Sequence, residues 1–288
     1  MSIFLQQVFN TLSSASVYAL LAVGVTLVFG LTRIVNFAHG DLLTVGSYVL
    51  FLVAPGGAVW FLAGFTAAIV AVAVLAVVLE RLLFRHTLVA PIRGFLVSLG
   101  LIQIIESGLS YAFTASPRTV HPAIDRVWTV GGVDMPADRV LVIVGTVAVF
   151  LALTYYLERT KAGLMIRAVA IDAETAGLMG APVTRAIAGV FALGGMLAGA
   201  GGAFGALLAP VTPFLGYSLI LKGFAVALIG GLGNVRGAVL GAIVLAALET
   251  IVITIGLSTW VSFLGFAMMI VLLVVRPRGL LRGVDAEI

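Results

Sequence analysis

Residues 186–221 read AIAGVFALGGMLAGAGGAFGALLAPVTPFLGYSLIL, and no Asp, Glu, Lys or Arg interrupts them. Stretches 1–32, 42–79, 140–157 and 250–275 are equally free of charge. A membrane crossing needs roughly 20 apolar residues for a hydrocarbon core about 30 Å thick. Of the 288 residues, 62% are hydrophobic and 10% are charged, and the mean hydropathy is +1.24. A soluble domain of this length has no interior large enough for so much apolar surface; a bilayer supplies one. The chain is therefore predicted to be all-α, a polytopic transmembrane helical bundle of about eight to ten spans, short or broken helices included. Helix is the expected form because lipid offers no partners to backbone groups. A membrane barrel would show short alternating segments in place of these unbroken runs.

The apolar runs place spans at about 9–30, 42–54, 58–79, 94–113, 140–157, 186–209, 218–232, 237–256 and 260–275. One membrane domain, 1–288, accounts for the whole sequence, since the longest polar connections, 114–139 and 158–185, are too small to bury cores of their own. The first apolar run lacks a basic region ahead of it and is read as a retained span. Orientation follows from Lys and Arg in short loops. Arg81, Arg85 and Arg93, then Arg159, Lys161, Arg167 and Arg185, then Arg276, Arg278 and Arg282 mark three cytoplasmic segments. Loop 114–139 mixes both signs and lies a single crossing from each basic neighbour, so it is expected outside. Its Val127–Val130 run before Gly131-Gly132 predicts a small hairpin there. An odd number of spans then leaves the N-terminus outside and the C-terminus cytoplasmic. The net charge of +4 is a matter of topology, not of nucleic-acid binding.

Much chemistry is excluded. With no cysteine, disulfides, thiol catalysis and cysteine metal sites are absent. The histidines are His39, His86 and His121; none stands in an H-E-x-x-H context, and the last two read as solvated surface residues. No G-x-S-x-G elbow is present. A P-loop needs a lysine after glycine, and the lysines, Lys161 and Lys222, do not follow one. Neither an enzyme nor a cofactor is implied, and any ATP-driven step would need a separate ATPase chain.

Spans 2 and 7 are short, and each adjoins a polar, glycine-bearing segment: Asn36-Phe37-Ala38-His39-Gly40-Asp41 and Gly230 to Gly237. Interrupted segments at corresponding places in two halves point to a pathway built from broken helices and to an internal duplication; ordinary tight turns at the membrane surface are the plainer reading. Gly195/Gly199 and Gly201/Gly205 are G-x-x-x-G pairs that favour close packing, within the subunit rather than between copies. Glu106, Lys222 and Glu249 fall inside apolar runs, where an ionised group costs about 2.5–3.5 kcal/mol on insertion scales. For the two glutamates, interhelical bonding is favoured over substrate contact; Lys222 either lines a path or snorkels. In loop 158–185, apolar positions 164, 168, 171 and 178 share a helical face, Asp172 precedes a short alanine-rich helix, and Gly180 before Pro182 ends it. Two short helices here could dock into a partner's groove.

Four segments together carry a resemblance: Val35–Asp41; Gly163 to Gly180 with its R-A-x-A-x-D-x-x-x-A core; Lys222-Gly223-Phe224 through Gly230-Gly231-Leu232-Gly233-Asn234 to Gly237-Ala238; and Arg276-Pro277-Arg278-Gly279-Leu280. The chain resembles the membrane permease subunits of bacterial ABC importers for branched-chain amino acids, the LivH type. That resemblance implies a multi-pass protein of the bacterial inner membrane, without a cofactor. Its expected partners are a second homologous permease subunit, cytoplasmic ATPase subunits and an external substrate-binding protein. It assigns ATPase coupling to Gly163, Arg167, Ala168, Asp172, Ala176 and Gly180. It implies that the segment holding Asn36, His39 and Asp41 lines or braces the substrate path, to which the residues themselves add Lys222, inside an apolar run, and Asn234, at a broken-helix end. Arg236 departs from the family's less charged pattern at that turn. The competing reading on the residues alone is a stand-alone ion-coupled carrier using Glu106 or Glu249.

Overall fold

The computed structural model describes residues 2–130, 132–261, 263, 265, 267, 270, 271, 274 and 279–281. Helix α1 (Ser2–Thr32) is followed by α2 (His39–Val53), α3 (Ala58–Leu82), a 3-10 turn (Phe84–Thr87) and α4 (Pro91–Phe113). A hairpin of β1 (Val127–Val130) and β2 (Val133–Pro136) leads into α5 (Ala137–Arg159), then the short pair α6 (Lys161–Ile171) and α7 (Ala173–Leu178). Helices α8 (Val183–Leu208), α9 (Leu215–Gly230) and α10 (Val235–Thr254) complete the described bundle. Six of these helices are long and apolar enough to cross a bilayer, whereas α2 and α9 are shorter. Spans 1 to 8 are thus found within a few residues of the expected bounds, apart from the earlier start of α1. The expected ninth span, 260–275, and the arginines 276, 278 and 282 lie largely outside the described residues.

The bundle has two ends. At one, the hairpin pairs Trp128 with Met135 and Thr129 with Asp134. Gln6 of α1 donates to the Asp134 carbonyl at 3.1 Å, and the Gly57 amide after α2 donates to the Pro122 carbonyl. Arg118 and Val211 exchange backbone hydrogen bonds of 2.8 and 2.7 Å at the same end. At the other end, Phe84, Ile166, Val169, Ala176 and Phe191 form one apolar cluster, so segments 80–93 and 158–185 share a side as expected. His86 and His121 are exposed, as the sequence reading has them.

Burial is uneven among the long helices. In the apolar windows of α1 and α8, 78% and 72% of residues are buried, against 28%, 22% and 17% for α3, α4 and α5. Val70, Val74, Leu96, Ile104, Val147 and Leu151 of the last three helices are exposed and apolar, the surface that lipid covers. Two apolar materials gain little from leaving one for the other, so helices in lipid associate through close packing. Helix α8 provides it on three sides. Gly195 and Gly199 lie against Ala68, Val72 and Ala76 of α3; a Cβ on Gly199 would sit 2.6 Å from the Ala68 carbonyl oxygen. Gly202 meets α2, where Ser47 donates to its carbonyl at 2.8 Å. Gly201 and Gly205 face Leu20 and Val17 of α1. Both G-x-x-x-G pairs therefore pack within the subunit.

Contact geometry separates two substitutions in α8. A Cβ at Gly202 would run into the Leu43 carbonyl oxygen and lie 2.8 Å from the Ser47 amide, whereas one at Gly205 would meet only the Val17 methyl at 3.7 Å. Gly202→Ala is expected to destabilise the protein by about 1–3 kcal/mol, the usual cost of overpacking. Gly205→Ala is expected to be close to neutral. Denaturation midpoints of the detergent-solubilised variants check the pair.

Candidate functional site

The chain between α1 and α2 does not turn on the surface. After Thr32 it reverses at Arg33, whose φ of 57° is left-handed, and re-enters the bundle with Ile34, Asn36 and Ala38 buried. Helix α2 then starts at His39, level with Gly24 of α1 and Gly194 of α8, eleven positions into α8. A Cβ at Gly194 would lie 3.3 Å from the His39 ring, and one at Gly24 would strike it. From the opposite direction, residues 212–214 bring the chain down to the start of α9. There Gly216 lies against Gly40, such that a Cβ on Gly216 would be 2.5 Å from the Gly40 carbonyl carbon. Phe37 packs on Phe224 with ring centroids 4.6 Å apart. Two helix N-termini thus abut inside the bundle, and their helices run to opposite ends. Each brings unpaired amides and a partial positive charge to the junction.

Three polar side chains at this junction are buried with atoms left unpartnered. Asn36, His39 and Asp41 are 5%, 2% and 0% exposed. Asn36 Oδ1, His39 Nε2 and both Asp41 carboxylate oxygens have no hydrogen-bond partner among the described residues. Glu106 of α4, also buried, lies across from Asp41, close enough for their charges to interact. Of the five expected path residues, the structure gathers these three and places the other two elsewhere. Asn234 caps α10 in the turn that joins it to α9, its Oδ1 accepting from the Gly237 amide at 3.0 Å. That turn lies at the end bearing α6 and α7: Gly30 packs beside Gly233, and the exposed Arg236 reaches Glu158 at 3.6 Å. The glycines there are structural, since Gly231 and Gly233 hold φ of 102° and 86°, a region costly for other residues. Leu280 and Leu281 complete the turn, donating their amides to the carbonyls of Ile229 and Gly230 that end α9.

The α6–α7 pair hangs from the foot of α5. Gly163 is pressed against the α5 terminus, where a side chain would collide with the carbonyls of Tyr156 and Leu157. Asp172 caps α7 by accepting from the amides of Glu174 and Thr175 at 2.9 and 3.1 Å, and the Thr175 hydroxyl also donates to it. The Thr175 hydroxyl and these amides hold the Asp172 carboxyl below its ordinary value. A depressed carboxylate stabilises the fold above its unfolded pKa and loses that contribution as pH falls through the folded one, so the cap is intact at neutral pH. Gly180, with φ of 88°, ends the motif. Gly163, Ile166, Val169 and Ala176 face inward. The stripe of Leu164, Ala168, Ile171 and Leu178 is the outward one, and Met179 extends it.

Lys222 belongs to a separate cluster between α1, α9 and α10. Its Nζ lies 2.8 Å from Glu249 Oε1 and donates to the Tyr18 hydroxyl at 3.0 Å. Tyr18 in turn donates to Glu249 Oε2 at 2.7 Å. Glu249 therefore makes the interhelical bonds expected of it, which gives no support to a carrier built on that residue. Tyr18 carries no charge or spacing that marks it in the sequence; only its position one helix away from both partners reveals it. The cluster opens onto a cavity of about 200 Å³ lined by Tyr217, Ser218, Leu221 and Gly265 among others. Removing one partner of a buried ion pair costs up to about 3–5 kcal/mol, whereas replacing both with apolar residues is often neutral. Lys222→Met and Glu249→Leu are each expected to destabilise the protein, and the double variant is expected to recover most of the loss. A double-mutant cycle on unfolding midpoints measures it.

Comparison with known proteins finds relatives over nearly the whole chain. The chain is 28% identical to the high-affinity branched-chain amino acid transport system permease protein LivH of Escherichia coli K12, over 99% of this chain and 97% of the relative. BraD of Pseudomonas aeruginosa, a permease protein of the same description, matches at 28% with the same coverage. The probable branched-chain amino acid transport permease protein LivH of Methanocaldococcus jannaschii is 25% identical over 94% of this chain and 90% of its own. No solved structure matches significantly. The family described as "Branched-chain amino acid transport system / permease component" matches residues 7–273, and with its buried broken helices the chain belongs to that family of membrane permeases.

Proposed function

We propose that this chain is the membrane-spanning permease subunit of an ATP-driven importer for branched-chain or related neutral amino acids, and that it works by alternating access without catalysing a reaction. The observation that carries the reading is the α6–α7 pair. It presents Leu164, Ile171, Leu178 and Met179 outward, at 60%, 86%, 84% and 85% exposure. Below the lipid-covered helices, an apolar stripe of this kind fits the groove of a partner. A cytoplasmic ATPase is that partner in our reading. The chain has no P-loop of its own, and Lys222 is committed to Glu249 and Tyr18.

In this scheme Gly163, Arg167, Ala168, Asp172, Ala176 and Gly180 form the coupling segment. Gly163 sets the elbow with α5, Arg167 and Ala168 face out, and Asp172 and Gly180 fix both ends of α7. Ala176 seats the helix against the bundle. The end bearing α6 and α7 is cytoplasmic, the hairpin end is external, and the N-terminus is external, in the bacterial inner membrane. A second homologous permease and an external binding protein complete the importer.

Asn36, His39 and Asp41 brace the path where the two broken helices meet. The paired N-termini favour the carboxylate of a zwitterionic substrate. Lys222 and Asn234 hold α9 at its middle and its cytoplasmic end, and so fix how that helix can move. Branched-chain substrates are favoured by the relatives; amides and urea are the competitors to test.

Reconstituted with its partner subunits, the complex is expected to take up labelled leucine only when ATP is present, and to prefer it to urea. Uphill uptake by this chain alone would overturn the reading. Met179→Glu in the outward stripe is expected to abolish ATP-driven uptake while the variant still inserts and folds. Asn36→Ala is expected to lower uptake in the intact complex, and unchanged uptake removes that residue from the path.

A further inference from the structure

The seam between α2 and α4 joins a buried half-helix to a peripheral one. Ties are visible toward both its ends. Toward the α6–α7 end, the Phe37 amide donates to Ser98 Oγ at 3.2 Å, and Phe37 meets Phe95 edge-on with centroids 5.6 Å apart. Toward the hairpin, Tyr48 stacks on Phe113 at 4.7 Å. Between these clasps, on the same faces of the two helices, stand Asp41 and Glu106. Asp41 is fully buried and Glu106 is 8% exposed. Neither Asp41 oxygen, nor Glu106 Oε1, has a partner among the described residues. No described cation pairs with either group: the ion pairs are Arg85–Glu80, Lys222–Glu249 and Arg236–Glu158.

A carboxylate withdrawn from water must be hydrogen-bonded, paired or neutral, and two facing carboxylates cannot both ionise at ordinary cost. The positive end of α2 lies beside Asp41, but a helix terminus is a small offset against burial of a full charge. Other titratable groups near the seam do not pair with either carboxyl: Arg118 lies at its hairpin end, donating to the Phe113 carbonyl at 3.1 Å. His39 faces away, toward Gly24 and Gly194. Tyr48 lies a turn and more along α2 toward Arg118. On α9, Tyr217 lines the Lys222 cavity and Lys222 itself is paired. Helix α8 has Arg185 alone, at its far end, and on α3 Glu80 is paired with Arg85.

We propose that Asp41 and Glu106 form a proton-binding pair that holds at least one resident proton and thereby latches α4 onto α2. The proton supplies the missing donor: a protonated carboxyl on one side donates to the carboxylate on the other. Its loss leaves two like charges facing each other across a seam otherwise held near its ends, and α4 is driven outward. The proton stays bound through transport; the pair is a latch, not a coupling-ion site.

The test uses the full-length chain in lipid bilayers with its partner subunits. Infrared spectra at neutral pH are expected to show the stretch of a protonated buried carboxyl, diminished in both Asp41→Asn and Glu106→Gln. Because the sequence has no cysteine, a spin-label pair at L52C and Y111C, both exposed positions, reports the separation of α2 and α4. In the otherwise wild-type chain that separation is expected to grow when the pH is raised through the loss of the infrared band. In Asp41→Asn or Glu106→Gln it is expected to stay short. If one neutral variant fails to fold, the other carries the comparison. The proposal is overturned by the absence of a protonated-carboxyl band sensitive to these residues, or by a separation that does not respond to pH. A band and separation that respond to sodium or potassium at fixed neutral pH would replace the proton with a bound metal ion and overturn it too.

Discussion

The whole arrangement depends on how closely backbones can approach α8. Where water is absent, a helix gains little by hiding leucine from lipid, so association rests on contact distance and on polar groups that have nowhere else to go. Gly195 and Gly199 let α3 in on one side, Gly202 lets in α2 on another, and Gly201 and Gly205 accept α1. That enclosure is what permits a short α2. A helix of 15 residues cannot cross a bilayer, and the non-helical stretch before it exposes backbone groups that lipid would leave unsatisfied. Irregular backbone at such depth survives only where protein surrounds it. The glycines of α8 and the junction of α2 with α9 are therefore one structural fact: the first makes the second affordable.

Within that frame, the interior holds charge in two ways. Around Tyr18, Lys222 and Glu249, opposite charges and a hydroxyl satisfy one another across three helices. The pair lies between α1, α9 and α10, and fixes their relative registers with directional bonds that apolar packing lacks. Around Asp41 and Glu106, two buried carboxyl groups face each other without a described counterion. The first cluster ties α9 and α10 to the centre of the bundle. The second sits where α4 meets it, and α4 is among the least buried of the spans. One cluster thus has its polar groups satisfied by side chains of three helices, and the other depends, in our proposal, on a bound proton.

Much of this was legible in the residues. Charge-free runs gave eight helices close to their bounds because length and hydropathy are the only requirements for a span. The hairpin followed from β-rich Val127–Val130 and the glycines after it, and the α7 cap from Asp172, because both are local chemistry. The shortness of spans 2 and 7 announced broken helices. What the sequence could not reveal depends on which helices become neighbours. Asn36 and Asn234 look equivalent as polar residues of glycine-bearing segments, yet one is buried at the junction and the other caps α10 at the edge of the bundle. Tyr18 gives no local sign of its bond to Glu249, 231 positions away. Nothing local in the sequence links Gly24 and Gly194 to His39, whose ring both glycines face.

The same geometry says how force would travel if the α6–α7 pair is pushed from outside. Gly163 leaves no slack at the α5–α6 elbow, because the carbonyls of Tyr156 and Leu157 fill the space a side chain would need. A push on α6 is therefore passed to the foot of α5. Glu158, at that foot, touches Arg236 in the first turn of α10, but the contact is exposed and 3.6 Å long, and surface pairs of this kind contribute little. The stiffer route to α9 is the turn between α9 and α10, where Gly230 and Gly237 pack backbone to backbone and Leu280 closes the end. Movement of that turn must either carry Lys222 along with Tyr18 and Glu249 or break their bonds. The first is far cheaper, so α9 and α10 should shift as one body together with the neighbouring part of α1. The sliding surface is then the glycine contact at Gly40 and Gly216, the place where two helix ends meet with no side chain between them.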